Sequence, residues 1–266
     1  MANSAGIYLE LGEKLLLLCD EGWGTVPNGI GMAKFTDFAK EFALQPGDPV
    51  ACRDGCLHFG PRWIKIAEKK EPAPEFGPRI CREHWQAGLC ALAGREKGLA
   101  PLAEPLLTGK GEKGRNPLCS LALPRLEMLA AGLLGQNPAS LEEGVKGLLG
   151  LGPGLTPSGD DVLCGLLCGL LRSPLGDSGP VRALAGAVCR EAQGRTHPVS
   201  TAFLQAAAGG ASFGRLERAW SYLTGRGPEC LKELLEVGSS SGGDCLLGLL
   251  LAGKICMERM DEGDGG

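Results

Sequence analysis

The stretch "GLLGLGPGLTPSGDDVLCGLLCGLL", residues 147–171, joins a polar turn to an apolar segment. The ten residues that follow Asp161 carry no charge, and a helix that is apolar on every side is buried in the centre of a domain. The turn before it contains threonine, serine, glycine and aspartate, which are typical of helix starts. The stretch therefore predicts a central buried helix that begins at a polar turn.

A second stretch repeats this pattern. The sequence "SSSGGDCLLGLLLAG", residues 239–253, aligns without a gap to "TPSGDDVLCGLLCGL", residues 156–170. The alignment pairs Ser158 with Ser241, Gly159 with Gly242, Asp161 with Asp244, and Gly165 with Gly248. Glycines inside the apolar segments, including Gly169, allow two backbones to approach closely. Two buried helices packed side by side would bring their N-termini, and with them the two polar turns, to one place.

We call the two polar turns, residues 156–161 and 239–244, the twin turns. Two interpretations of them remain open. Helix N-termini present N–H donors and a positive dipole end, so converging turns predict a site for phosphate or carboxylate. Alternatively, capping alone accounts for the residue types, with Thr156 as N-cap before Pro157, or with Ser158 as N-cap and Asp161 three residues later. The adjacent acids Asp160 and Asp161 would repel a bare anion but suit Mg²⁺ bridging to a phosphate. Mg²⁺ is therefore the candidate cofactor, with these two aspartates as its ligands.

A third segment, "GRTHPVSTAFLQAAAGG" at 194–210, adds further candidates. Arg195 is suited to holding phosphate or carboxylate through two parallel hydrogen bonds. Thr196 and Ser200 suit a helix start, with Pro198 at its first position. His197 is a candidate general acid–base beside the arginine, although a structural role is the open alternative.

The candidate site residues fall into two groups. The predicted catalytic residues are Asp160, Asp161 and His197. The predicted substrate- or phosphate-binding residues are Gly154, Thr156, Ser158, Gly159, Arg195, Thr196, Ser200, Ser240, Ser241, Gly242 and Asp244.

The chain changes character near residue 75. Before that point, short apolar runs alternate with turns, and "PVACRDGCLHFG", 49–60, predicts a hairpin at Asp54-Gly55. The charged, proline-rich stretch 68–78 predicts a linker. Most of the rest has helical patterns, and Ser140 with Glu143 predicts a capping box. We therefore expect an α+β protein, with a small β-barrel or sandwich-like domain at 1–75 and an all-α domain with two buried central helices at 76–266.

Composition excludes several classes of protein. The 266 residues are 44% hydrophobic with a net charge of -4, which disfavours binding to nucleic acid. The longest apolar runs have about half the length that a membrane span needs. The 12 cysteines lie mainly in apolar stretches, and no signal peptide is visible, so we expect reduced thiols in a cytoplasmic protein. The pairs Cys52/Cys56 and Cys164/Cys168 lack the further ligands of a zinc site.

Three motifs, "GLGPGLTPSGDD", "RTHPVS" and "GSSSGGDCLLGLLLA", in this order resemble the AllH-type family, which is linked to oxamate carbamoyltransferase of allantoin and purine catabolism. The likeness extends to "VPNGIG" and "LQPGDPV" in the β-rich part. The family signature falls on Gly152, Pro153, Gly154, Thr156, Pro157, Ser158, Gly159, Asp160 and Asp161. The resemblance implies a subunit of an oligomeric complex that exchanges carbamoyl phosphate and oxamate with oxalurate and phosphate, beside two other subunits.

Three functions follow from these observations. The first is a carbamoyltransferase, or a subunit of one, whose partners are a small anionic substrate and other protein subunits. The second is a non-catalytic accessory subunit that binds phosphate or carboxylate. The third is a nucleotide-dependent kinase, which is disfavoured because "TGKGEKGRNP", 108–117, does not fit the phosphate-loop pattern.

Overall fold

The structure is a computed structural model that divides into two compact units, residues 1–73 and 74–266. It describes residues 2–3, 6–12, 14–23, 26–33, 35–67, 75, 77–111, 116–135 and 138–263. A strand-containing unit precedes a helical unit, which confirms the α+β class. Most of the predicted linker, residues 68–74 and 76, lies outside the described residues.

The described part of the first unit contains seven strands and one α-helix. These are β1 (Ala2–Asn3), β2 (Gly6–Leu11), β3 (Lys14–Asp20), β4 (Gly29–Met32), α1 (Phe35–Phe42), β5 (Val50–Arg53), β6 (Cys56–Phe59) and β7 (Arg62–Lys65). One sheet has the order β1-β2-β3-β4 and the other β5-β6-β7, and only the β3–β4 pair is parallel. The predicted hairpin is confirmed, since Asp54 and Gly55 join β5 to β6 with φ of 51° and 71°.

Both sheets and α1 contribute to one apolar cluster. Alternate residues of each strand point to one face, which is the pattern of a half-buried sheet. The buried members are Ile7, Leu9, Leu18, Phe35, Phe38, Leu57 and Phe59. Two small sheets over a shared core fit the sandwich-like domain expected from the sequence.

The second unit is helical throughout its described residues. Its helices are α2 (Arg82–Leu92), α3 (Ala103–Thr108), α4 (Pro117–Leu133), α5 (Pro138–Leu148), α6 (Ser158–Leu171), α7 (Gly179–Glu191), α8 (Pro198–Ala208), α9 (Gly214–Leu223), α10 (Leu231–Leu235) and α11 (Ser241–Gly263). In the described ranges, none of these helices has the length and apolar composition of a membrane span. The predicted capping box is wrong: α5 begins before Ser140, whose hydroxyl donates to the Met128 carbonyl of α4 at 3.0 Å.

Helices α6 and α11 form the centre of this unit. Every residue of α6 from Ser158 to Leu170 is buried, as the apolar pattern predicted. A Cβ atom added at Gly165 would lie 2.0 Å from the Cys245 carbonyl oxygen, and one at Gly248 would lie 2.1 Å from the Val162 carbonyl oxygen. Early residues of one helix contact early residues of the other, so the two helices run side by side in the same direction. The predicted close approach of their backbones is confirmed.

The repeat extends beyond the aligned sequence into the preceding helices. The Gly159 amide donates to the Leu151 carbonyl after α5, and the Gly242 amide donates to the Val237 carbonyl after α10, each at 2.9 Å. The two helix–turn–helix units therefore close in the same way. Between these paired groups lie residues 152–158 in the first copy and 238–241 in the second. The first copy thus has a loop that is three residues longer.

We expect Gly165→Ala to lower the free energy of unfolding by about 3 kcal/mol or more, because the new methyl group would force two helix backbones apart. The matched control is Gly186→Ala in α7, where a Cβ would meet only the end of the Arg190 side chain at 3.3 Å. That change should alter stability by no more than about 1 kcal/mol, in the stabilising direction. Urea denaturation measures both, and equal stabilities for the two variants would contradict the packing argument.

Candidate functional site

The two polar turns meet at the N-termini of α6 and α11. The hydroxyl oxygens of Thr156 and Ser241 are 3.2 Å apart, which confirms the predicted convergence. The first residue outside α6 is Pro157, and no side chain caps that end of the helix. The interpretation of Thr156 or Ser158 as a simple N-cap is therefore wrong. Their hydroxyls instead face the neighbouring helix.

Contacts at the turns are reciprocal between the two copies. The carboxylate of Asp161 lies near the hydroxyls of Ser241 and Thr156. The matched carboxylate of Asp244 lies near the hydroxyls of Ser158 and Ser240. Each aspartate thus faces the serine that belongs to the other copy. This exchange makes one polar cluster from two turns that are 83 positions apart in the sequence.

Each of these two buried aspartates has an oxygen without a hydrogen-bond partner. Asp161 is 7% exposed and Asp244 is fully buried. The Leu99 amide donates to Oδ1 of Asp244 at 2.6 Å, but Oδ2 of both aspartates is unpaired. The nearby hydroxyls are close enough to lower each pKa but do not meet the geometry of a hydrogen bond to these Oδ2 atoms. Unpaired buried polar atoms are rare in folded proteins.

Burial has the largest effect on the pKa values of the acids and thiols in the cluster. Desolvation raises the pKa of Asp161 well above its ordinary value, and the charges of Asp244 and Asp160 raise it further. Desolvation also raises the pKa of Asp244, to about 6, against the lowering effect of the Leu99 amide and two serine hydroxyls. The thiols of Cys164 and Cys245 are buried beneath the turns, and desolvation raises their pKa well above 9.0. They are therefore neutral thiols at physiological pH.

Four backbone amides at the turns are already used by the fold. The amides of Asp161 and Asp244 donate to the carbonyls of Pro157 and Ser240. The amides of Gly159 and Gly242 donate to the loop carbonyls that close each repeat, and a Cβ at either glycine would lie 2.1 Å or 1.9 Å from a backbone oxygen. These two glycines close the turn and allow the preceding helix to pack, and their predicted role in binding an anion stays a prediction.

Asp160 joins a second, separate network. Its Oδ1 accepts a hydrogen bond from the Gly150 amide at 2.8 Å, and its Oδ2 accepts one from the Ser200 hydroxyl at 2.6 Å and one from the Thr196 hydroxyl. Burial raises the pKa of Asp160, and these three donors lower it. Neighbouring positions on a helix point in different directions, which separates Asp160 from Asp161. The structure thus directs Thr196 and Ser200 to a carboxylate of the chain itself.

The remaining predicted residues lie outside both networks. Arg195 pairs through Nε with Glu191 at 2.9 Å, and His197 is the N-cap of α8, where its Nδ1 accepts from the Val199 amide at 3.2 Å. Gly154 lies exposed in the longer loop with φ of 101°, and a Cβ there would meet no atom within 4 Å. None of these three residues makes a hydrogen bond to the carboxylate of Asp161 or Asp244. Their predicted catalytic or binding roles stay predictions.

One segment near the site was missed by sequence reasoning. Lys97 is exposed, and its Nζ donates to the Ser239 hydroxyl at 3.1 Å, beside the start of α11. The following residues, Gly98 and Leu99, pack directly against Asp244, since a Cβ at Gly98 would lie 2.4 Å from both carboxylate oxygens. No motif marks this segment. It lies more than 140 positions before Asp244, so only the fold reveals the contact.

A comparison with protein families identifies the segment that contains all of these motifs. Residues 148–253 match the model of a family described as oxamate carbamoyltransferase subunit AllH. The chain carries an AllH-type segment. This confirms the resemblance based on the three motifs. Searches of the curated proteins and of the solved structures found no match.

The AllH-type segment starts at the last residue of α5 and ends within α11. It therefore includes both copies of the turn and the Asp160 network. Lys97, Gly98 and Leu99 lie outside the matched residues, as does the strand-containing unit.

We expect Asp160→Ala to lower the free energy of unfolding by about 3 kcal/mol, because it leaves the Gly150 amide and two hydroxyls without their acceptor. Asp160→Asn should lower the free energy of unfolding clearly less. Its amide oxygen still accepts from the Gly150 amide, and the hydroxyls can rotate so that their oxygens accept from its NH₂ group. Chemical denaturation checks both variants. An alanine variant as stable as wild type would refute the structural role of Asp160.

We expect the Asp244 carboxyl to make stability pH-dependent. Its folded pKa of about 6 lies above the ordinary value of 3.8, so the folded state holds this proton more tightly than the unfolded state. The contribution is therefore present at low pH and is lost as pH rises from about 4 through about 6. The rise in pKa corresponds to about 3 kcal/mol.

Asp244→Asn removes this ionisation while keeping an acceptor for the Leu99 amide. In EDTA, the unfolding free energy of this variant relative to wild type should increase between pH 4 and pH 7. Urea titrations at each pH provide the measurement, and a constant difference would contradict the expected pKa.

Proposed function

We propose that the chain is a subunit of a carbamoyltransferase and binds a small anionic substrate, carbamoyl phosphate or oxamate, at the twin turns. The observation that carries the proposal is the meeting of both turns of the AllH-type segment at one buried cluster. Catalytic transfer, the allantoin pathway and a cytoplasmic location are parts of this proposal. The other subunits of the complex are its expected protein partners.

The chemistry of the cluster suits an unstable acyl phosphate. The partly buried hydroxyls of Thr156, Ser240 and Ser241 can donate to phosphate or carboxylate oxygens. Lys97 supplies a positive charge on the solvent side of the Ser239–Ser241 run. In the forward step, the oxamate nitrogen attacks the carbonyl carbon of carbamoyl phosphate. The carbon–oxygen bond to phosphate breaks, phosphate leaves, and the nitrogen loses a proton to give oxalurate.

A direct attack fits the surroundings better than a covalent intermediate. The nearest thiols, Cys164 and Cys245, are buried and neutral, and the thiolate is the nucleophilic form of cysteine. His197 uses its Nδ1 in capping α8. The protein contribution is then positioning and electrostatic stabilisation of charge on phosphate.

The accessory-subunit interpretation keeps one specific observation in its favour. Two of the three predicted catalytic side chains, Asp160 and His197, make hydrogen bonds that stabilise the fold. Titration of the full chain with phosphate and with carbamoyl phosphate separates the two interpretations. Binding by the chain with turnover by the assembled complex supports the transferase, and binding with no turnover in the complete complex supports the accessory role. None of the described contacts favours the kinase.

We expect Lys97→Met to raise the KM for phosphate in oxalurate phosphorolysis by the assembled complex at least tenfold, because it removes the cation beside the Ser239 hydroxyl. Lys65→Met, an exposed lysine of the strand-containing unit, is the matched control and should leave KM unchanged. The assay measures carbamoyl phosphate formation. Equal kinetics for the two variants would remove Lys97 from the site, and no turnover by the complete wild-type complex would overturn the transferase proposal.

A further inference from the structure

At the twin turns, two buried side-chain oxygens lack a hydrogen-bond partner. The amides of Gly159, Asp161, Gly242 and Asp244 all donate to backbone carbonyls. By contrast, Oδ2 of Asp161 and Oδ2 of Asp244 accept from no group. The hydroxyl oxygens around them add further lone pairs. A cluster of this kind is short of positive charge.

Among the residues that the structure describes, no lysine or arginine pairs with either acid. When ionised, two buried carboxylates without a counter-ion destabilise the fold, and burial accordingly raises the pKa of both acids. The two helix N-termini contribute only about half a unit of positive charge each. Lys97 donates to the Ser239 hydroxyl and is exposed, whereas Asp244 is fully buried. A bound cation would pair both acids and use the unpaired oxygens at the same time.

We infer that the twin turns bind one divalent cation, of the class of Mg²⁺, between the carboxylates of Asp161 and Asp244. The inference rests on the proposed function, which it deepens, and it replaces the Asp160–Asp161 pair expected from sequence with one acid from each copy. The hydroxyls of Thr156 and Ser241, 3.2 Å apart and near Asp161, offer further oxygen ligands.

Ligand chemistry selects the class of metal. Carboxylate and hydroxyl oxygens are hard ligands that suit Mg²⁺, and the neighbouring thiols are neutral. Across the described ranges, no three His, Cys, Asp or Glu side chains form a group that could hold a metal ion by themselves. A cation held by two carboxylates keeps open positions for water and for a substrate phosphate, as Mg²⁺ does in phosphate-handling sites. This explains how a cluster of acids can accept an anionic substrate.

Mn²⁺ is the probe for the test, because its binding to the full chain at pH 7.5 can be followed by electron paramagnetic resonance. Wild type should show one saturable site, from which Mg²⁺ displaces Mn²⁺. Asp161→Asn and Asp244→Asn should each weaken binding at least tenfold. The matched control is Asp160→Asn, the adjacent aspartate whose oxygens are all bonded to the chain, and it should stay within threefold of wild type.

Thermal unfolding gives an independent measurement on the unmodified chain. Mg²⁺ at millimolar concentration should raise the Tm of wild type by about 3 °C or more relative to NaCl of equal ionic strength. If an asparagine variant does not fold, this rise in Tm tests the cation site on the wild-type chain. The absence of saturable Mn²⁺ binding, the absence of a Mg²⁺-specific rise in Tm, or a loss of binding in Asp160→Asn alone overturns the inference.

The experiment also separates this inference from the proposed function. Turnover by the assembled complex that persists in excess EDTA would overturn the cation site and leave the transferase standing. Saturable binding that requires Asp161 and Asp244, in a complex without turnover, would support the cation site while the transferase proposal fails.

Discussion

Direct contact between the backbones of α6 and α11 is the constraint on which the helical unit depends. At Gly165 and Gly248, the absence of a side chain lets each helix reach a carbonyl oxygen of the other. That contact fixes the spacing of the two helix starts, and the spacing places Thr156 beside Ser241. The polar cluster is thus a consequence of packing deep in the apolar core. A larger residue at either glycine would disturb the cluster from about two helical turns away.

Local sequence patterns and the internal repeat were sufficient to predict much of this arrangement. The apolar segments after Asp161 and Asp244 indicated buried helices because no polar side chain in them could face water. Matched serines, glycines and acids indicated that the two turns are equivalent. Asp54-Gly55 indicated a hairpin because its conformation is determined by the two residues themselves. These features depend on residues that are close together in the sequence, so they can be predicted without the tertiary fold.

The direction of individual side chains and the partners of backbone amides depended on the tertiary fold. Asp160 and Asp161 are adjacent and chemically equal, yet one is bonded to Gly150, Ser200 and Thr196 and the other faces the second copy. The sequence alone does not distinguish the roles of these two aspartates, because their partners depend on where α8 and α11 lie. The approach of Leu99 to Asp244 likewise follows from a contact across 145 positions.

The unequal loops of the two repeats have a stereochemical consequence. Residues 152–158 in the first copy occupy the place of only 238–241 in the second, although both copies contribute a serine and an aspartate to the polar cluster. A perfectly two-fold cleft would accept an unsymmetrical molecule in either of two opposite orientations. The longer loop, which contains the exposed Gly154, makes the two copies different. Because only one copy carries the three extra residues, an unsymmetrical molecule is left with one orientation.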